Sequence, residues 1–194
     1  SIFSTYAAAV NGTDSEIQVL NYLTSHDDGS PFDKERKRTM ETATKLLLSP
    51  GTAQIYYGDE SARNLIVEGT QGDATLRSFM NWEDIENNAE TQELLRHWQK
   101  LGQFRRDHLS VGAGSHKILS EAPYLFSRTY SKANVSDQVV IGLDLEAGVK
   151  ELSVGGVFED GTELRDAYSD TQVSVSGGKV QLDTPFNIVL LEKI

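Results

Sequence analysis

Two short acidic stretches carry the side chains best suited to chemistry. The first is Thr24-Ser25-His26-Asp27-Asp28, where an imidazole stands beside two carboxylates, and the second is Gly58-Asp59-Glu60. Each closes an apolar run: Val19-Leu20-Asn21-Tyr22-Leu23 before the first, Ala53-Gln54-Ile55-Tyr56-Tyr57 before the second. The runs read as strands, and the segment between them, ending at Ser49-Pro50-Gly51, reads as a helix. A strand, a helix and a second strand make a crossover unit with parallel strands, and such units gather polar groups at the C-terminal ends of their strands. The two acidic stretches then fall at equivalent ends of neighbouring strands and form one face of an active site.

The elements that must position them follow from local signals. Residues 1–10 are Ala-rich with Ile2, Phe3, Tyr6 and Val10 at near-helical spacing, and Asn11-Gly12 is a stop. Val19–Leu23 is apolar enough for a strand covered on both faces, which would oblige Asn21 to find a hydrogen-bond partner. The helix after it has start signals at Ser30-Pro31 or Asp33 and an apolar stripe of Met40, Ala43, Leu47 and Leu48. Lys34, Arg36, Lys37 and Arg38 would lie in its first turns as a solvated face, or as a phosphate or glycan contact. Ser61–Asp84 lacks periodicity and reads as a long ordered loop. Asn87 and Glu90 resemble a capping box for a helix carrying Leu94, Leu95, Trp98 and Leu101 and ending near His108. Gly112-Ala113-Gly114 marks a boundary. Short β-rich runs then recur at Tyr124–Tyr130, Val139–Leu143, Lys150–Val154, Gln172–Val175, Lys179–Leu182 and Asn187–Leu191, with turns such as Asp160-Gly161 between them. They predict an antiparallel sandwich in which Asp166 is a turn residue.

Composition narrows the function classes. The chain has 194 residues, 38% of them hydrophobic and 24% charged, as a folded protein should. Eighteen Lys and Arg against 29 Asp and Glu give a net charge of −11, which repels phosphate backbones and argues against nucleic acid as a partner. With no cysteine there is neither a disulfide nor a thiolate metal site, and the four His are scattered. No apolar run reaches the length of a membrane span. The opening Ser1–Ala7 has neither an initiator Met nor a charged signal-peptide start, so the chain is expected to be part of something longer.

From Ile17 onward the sequence resembles the α-amylase family of glycoside hydrolases. Tyr22-Leu23-Thr24-Ser25-His26-Asp27 is similar to the family's strand-seven motif. Leu48 to Glu60 is similar to strand eight and its approach, with Ala53 where Pro is common. Arg77–Trp82 resembles the loop that follows, Leu94–Ser110 the closing helix, and Tyr124–Arg128 with Leu164-Arg165-Asp166 pieces of the C-terminal sandwich. The fold implied is the incomplete C-terminal portion of a TIM (β/α)8 barrel, residues 1–114, followed by an antiparallel β-sandwich, residues 115–194.

The resemblance also implies roles. Asp27 corresponds to the third catalytic carboxylate and His26 to a ligand of sugar hydroxyls. Retaining hydrolysis requires a nucleophilic carboxylate and a protonated acid, and a further carboxylate can bind hydroxyls and keep that acid protonated. The plainer alternative is that Asp27 and Asp28 cap the following helix. Arg77 is implied near substrate, although an ion pair with Glu83 or Asp84 would explain it as well. Trp82 is the candidate stacking platform, while Tyr57 packs and Glu60 supports the site. Nothing here matches the motifs for the nucleophile, the acid or the Arg-x-Asp element that holds the nucleophile. The expectation is therefore the C-terminal portion of an enzyme acting on α-glucan oligosaccharides or polysaccharides, inactive alone and needing the N-terminal part of its barrel. The other readings are a non-catalytic carbohydrate-binding module, a glucanotransferase or an α-1,6-glucosidase. No cofactor is expected in this chain, calcium would be a matter for the full-length enzyme, and a secreted or periplasmic location is implied.

Overall fold

A computed structural model describes residues 1–11 and 19–194. The expected Gly12 stop and the start of the family resemblance at Ile17 lie outside the described residues. In chain order the elements are helix α1 (Ile2–Asn11), strand β1 (Leu20–Asn21), helix α2 (Thr39–Leu48), strand β2 (Thr52–Ala53), a 3₁₀ helix (Gly72–Arg77), and helices α3 (Trp82–Asn87), α4 (Ala89–Asp107) and α5 (Leu109–Ala113). Eight strands follow: β3 (Ser115–Glu121), β4 (Tyr124–Lys132), β5 (Val135–Leu143), β6 (Gly148–Ser153), β7 (Glu163–Asp166), β8 (Thr171–Ser174), β9 (Lys179–Thr184) and β10 (Val189–Lys193).

Among the described residues, β3-β4-β5-β10-β7-β8 form a six-stranded antiparallel sheet and β6-β9 a two-stranded one. One apolar core lies between the two sheets, where Leu125, Val140, Leu164, Val189 and Leu191 meet Leu152, Val180 and Leu182. A second lies on the other side of the large sheet, where Phe126, Val139, Ile141 and Leu190 meet Leu46, Leu47, Leu94, Trp98, Leu101 and Phe104 of α2 and α4. Adjacent residues of β4, β5 and β10 thus bury on opposite faces. That explains why Val139–Leu143 is apolar throughout instead of alternating with polar residues.

β1 and β2 pair in parallel, Leu20 opposite Thr52 and Asn21 opposite Ala53. The expected double burial of Val19–Leu23 is not found: Leu20 is 54% and Tyr22 48% exposed. Asn21 does find its partners, donating to the carbonyls of Pro50 (2.8 Å) and Thr52 (3.4 Å). The pair is tied to the rest of the molecule through the end of α2. A helix leaves its last carbonyls without intrahelical donors. Here Arg105 donates to Leu47 O (2.9 Å), Ser49 O (2.7 Å) and Gly51 O, and Arg128 to Leu48 O (3.3 Å). Two guanidinium groups therefore close α2 and fix where β2 begins.

α2 starts later than its sequence signals suggest. Asp33 does act as a cap, accepting from the backbone N–H groups of Lys37 (3.0 Å) and Arg38 (2.8 Å), but it closes a turn ahead of the helix. The basic cluster Lys34–Arg38 therefore precedes α2. α4 is capped by Asn88, whose side chain accepts from Thr91 N at 3.0 Å, one residue after the expected box.

Arg128 is fully buried in β4, donating to Val111 O (2.7 Å) and to His116 Nδ1 (2.9 Å). That bond requires an unprotonated Nδ1, and Nε2 faces the Tyr124 hydroxyl at 3.2 Å. Burial, then the charge of Arg128, push His116 down to about 4 from an ordinary 6.5. Between those values the unfolded chain binds more protons than the folded one, so this contribution to stability is complete above pH about 6.5 and declines as pH falls toward 4. Urea midpoints measured over that range should drop with pH in the native protein, and His116→Gln should flatten the dependence.

Candidate functional site

The loop after β1 is shaped by its own hydroxyls. Ser25 Oγ donates to Asp27 Oδ1 at 2.8 Å, and Asp27 N donates back to Ser25 Oγ at 3.3 Å. Asp28 Oδ1 accepts from Ser30 N at 2.9 Å. Neither carboxylate caps α2, whose first residue is Thr39. His26 and Asp27 are exposed, with His26 Nε2 3.6 Å from Asp27 Oδ2. The Ser25 hydroxyl, then His26 and then Arg77 hold the Asp27 carboxyl below its ordinary value. It is a solvent-facing anion at neutral pH, able to accept hydrogen bonds from hydroxyls.

Arg77, at the end of the 3₁₀ helix, reaches this loop and donates from Nε to His26 O at 3.2 Å. The expected alternative, a pair with Glu83 or Asp84, does not form among the described residues. Trp82 opens α3 with 67% of its surface exposed, and Phe79 beside it is 97% exposed. Two large aromatic surfaces thus face solvent in the segment that follows Arg77. Among the described residues, Trp82 has no ring partner.

The loop after β2 is organised by Arg63, which no sequence motif singles out. Arg63 is fully buried. It donates to Tyr57 O (2.9 Å), Ser78 Oγ (2.6 Å), Ser78 O (3.3 Å) and Leu76 O (3.1 Å). Its guanidinium lies 3.9 Å from the centre of the Tyr57 ring, and the Tyr57 hydroxyl donates to Ser78 O at 2.8 Å. Arg63 thereby joins the β2 loop to the segment that carries Arg77. Gly58 has φ +84°, and a Cβ there would meet Arg63 Cβ at 2.4 Å, so both the backbone and the close approach require glycine. Glu60 turns back to accept from Gly58 N at 3.0 Å, supporting the loop from within.

Asp59 is buried beneath both loops. Its Oδ1 accepts from Thr24 Oγ1 (2.7 Å) and Arg36 Nη2 (2.9 Å), while its buried Oδ2 has no partner among the described residues. Arg36 also donates to Arg63 O at 2.9 Å. The side chains of this ion pair are 9% and 0% exposed, so Arg36 is not part of a solvated face. His26, Asp27 and Arg77 therefore come together at the surface, and Asp59, Arg36 and Arg63 lie beneath them. Among the described residues, no three His, Asp or Glu side chains gather in a way that could hold a metal ion.

No protein-family model matches the chain. Over 118 residues, 60% of its length, it is 38% identical to the periplasmic alpha-amylase of Escherichia coli strain K12, and the match spans 17% of that relative. In fold it is similar to an Anoxybacillus alpha-amylase, with a TM-score of 0.66, 23% identity, and coverage of 99% of this chain and 42% of that one. It is also similar to the alpha-amylase of Geobacillus thermoleovorans complexed with acarbose, with a TM-score of 0.61, 20% identity, and coverage of 91% and 39%. Relative and fold agree with the resemblance carried by Tyr22–Asp27 and Leu48–Glu60: this chain is similar to part of an α-amylase-family enzyme.

Proposed function

We propose that this chain is the C-terminal portion of a retaining glycoside hydrolase acting on α-glucans such as starch and maltodextrin. Residues 1–114 would complete a (β/α)8 barrel with strands from the rest of the protein, and residues 115–194 are its C-terminal β-sandwich. The observation that carries this reading is the Asp27 carboxylate, ionised and open to solvent just after a strand that pairs in parallel, with His26 against it. The exposed flank of β1 at Leu20 and Tyr22 fits a sheet that continues into other segments.

In this role Asp27 accepts hydrogen bonds from sugar hydroxyls at the scissile bond. Its negative charge favours the positive charge that develops on the ring and keeps a neighbouring acid protonated. The nucleophile and the acid come from parts of the protein outside this chain. His26 binds hydroxyls, Arg77 holds the loop and faces substrate, Trp82 offers a stacking surface, and Tyr57 and Glu60 support the β2 loop. The acarbose complex of the Geobacillus neighbour supports an α-glucan oligosaccharide as ligand, and the name of the E. coli relative supports a periplasmic or secreted location. Any calcium site would draw mainly on residues outside this chain.

The test compares reducing-sugar release from maltodextrin by the full-length protein and by the 194-residue chain. The full-length protein should turn over and the chain alone should not. Normal turnover by the chain alone would overturn the proposal. A full-length protein that binds maltodextrin without cleaving or transferring would leave the non-catalytic module. Product analysis separates hydrolysis from glucanotransfer and α-1,4 from α-1,6 cleavage.

A further inference from the structure

We propose that Asp59 is a positioning residue: through the Thr24 hydroxyl it sets where Asp27 stands. The inference rests on the reading of Asp27 given above. Among the described residues, four hydrogen bonds that involve side chains hold the loop from Thr24 to Asp27. Three of them are open to water on at least one side: the reciprocal pair between Ser25 Oγ and Asp27 is part-buried and ends on an exposed carboxylate, and Arg77 Nε to His26 O is exposed. Water competes for such bonds, so they define the loop weakly. The fourth, Thr24 Oγ1 to Asp59 Oδ1 at 2.7 Å, is fully buried. Thr24 is 0% and Asp59 2% exposed, and in a dry environment a charge-assisted bond is both stronger and more directional. It joins the loop after β1 to the loop after β2, three residues before Asp27.

Asp59 is itself aimed by Arg36, which donates to the same oxygen at 2.9 Å and to Arg63 O at 2.9 Å. Both donors lie on Oδ1, and among the described residues the buried Oδ2 has none. The carboxylate therefore has no third bond to hold its orientation if either donor is lost. Taking away the Thr24 hydroxyl should let Asp59 and the Thr24 backbone shift apart, and Asp27 would move with the loop. Misplacing a group by about 1 Å in a reacting geometry can cost about a hundredfold in rate.

The experiment uses the full-length protein with maltooligosaccharides. Thr24→Val keeps the shape of the side chain and removes only the donor, whereas Thr24→Ser keeps the donor. Thr24→Val should lower kcat about tenfold or more with KM within about twofold of the native value. Thr24→Ser should restore kcat, and both should give folded protein by circular dichroism. A Thr24→Val protein with native kcat per folded molecule would overturn the inference, because a merely structural bond would change the unfolding temperature alone. If Thr24→Val does not fold, Arg36→Met, which removes the other donor, is read by the same criteria. Asp27→Asn assayed in parallel separates the two claims. If it keeps native turnover, the functional reading fails and the inference with it. If it loses turnover while Thr24→Val does not, only the positioning role fails.

Discussion

Replacing Arg63 with methionine should destabilise the protein by about 3–5 kcal/mol, read as a drop in the urea midpoint at unchanged slope. Arg63 is a buried cation paired chiefly with neutral acceptors. Its donors satisfy the carbonyls of Tyr57, Leu76 and Ser78 together with Ser78 Oγ. Burial lowers its pKa, with the charge of Arg36 adding to that effect, while Tyr57, Tyr56 and Asp59 oppose it. Methionine fills similar volume but donates nothing, so the buried Leu76 carbonyl loses its partner at about 1–3 kcal/mol before relaxation, the part-buried Tyr57 carbonyl and Ser78 Oγ lose a donor each, and Ser78 O keeps only the Tyr57 hydroxyl. The Tyr57 ring would also lose the guanidinium 3.9 Å from its centre. Lysine should recover only part of the loss, because one ammonium cannot span acceptors placed for a planar fork. A midpoint within about 0.5 kcal/mol of native for Arg63→Met would show that the two loops are held by something else.

Arg63 also shows where the sequence stops being informative. Its partners Leu76 and Ser78 are more than a dozen residues away, in a stretch without periodicity, and no local pattern pairs them. Arg36 was equally hidden: Lys34–Arg38 reads as a solvated basic face, yet a turn closed by Asp33 sends Arg36 inward to Asp59. Asp33 gave the signal of a helix cap and made the hydrogen bonds of one, so only the tertiary structure distinguishes a capped turn from a capped helix. By contrast, Val139–Leu143 and the Ile188–Leu191 part of Asn187–Leu191 are plain in the sequence, because strand segments buried on both faces carry apolar residues in succession. β3 carries no strand signal in the sequence because it is an edge strand whose exposed and half-buried positions do not alternate. The residues at the surface of the site, His26, Asp27 and Arg77, are legible from motif alone. The layer beneath them is not, because its chemistry is buried contact between distant segments.

Substituting asparagine for Asp27 in the full-length protein should produce the largest effect on activity. The two side chains are nearly the same size, so folding should be preserved. The charge is lost, and with it the acceptor character of one oxygen. In the native loop Asp27 is held ionised by the Ser25 hydroxyl, His26 and Arg77. In the role proposed for Asp27, an anion there would stabilise positive charge on the sugar and restrain ionisation of a neighbouring acid, whereas a neutral amide would do neither. Removing a group of this kind costs about a hundred- to a thousandfold in kcat.

The most direct measurement of the central claim is kcat and KM for maltooligosaccharide cleavage by full-length native protein and Asp27→Asn, with the urea midpoint of each as the control for folding. The account predicts a kcat lowered by about two to three orders of magnitude at an unfolding midpoint close to native. A folded Asp27→Asn protein with native kcat would contradict it.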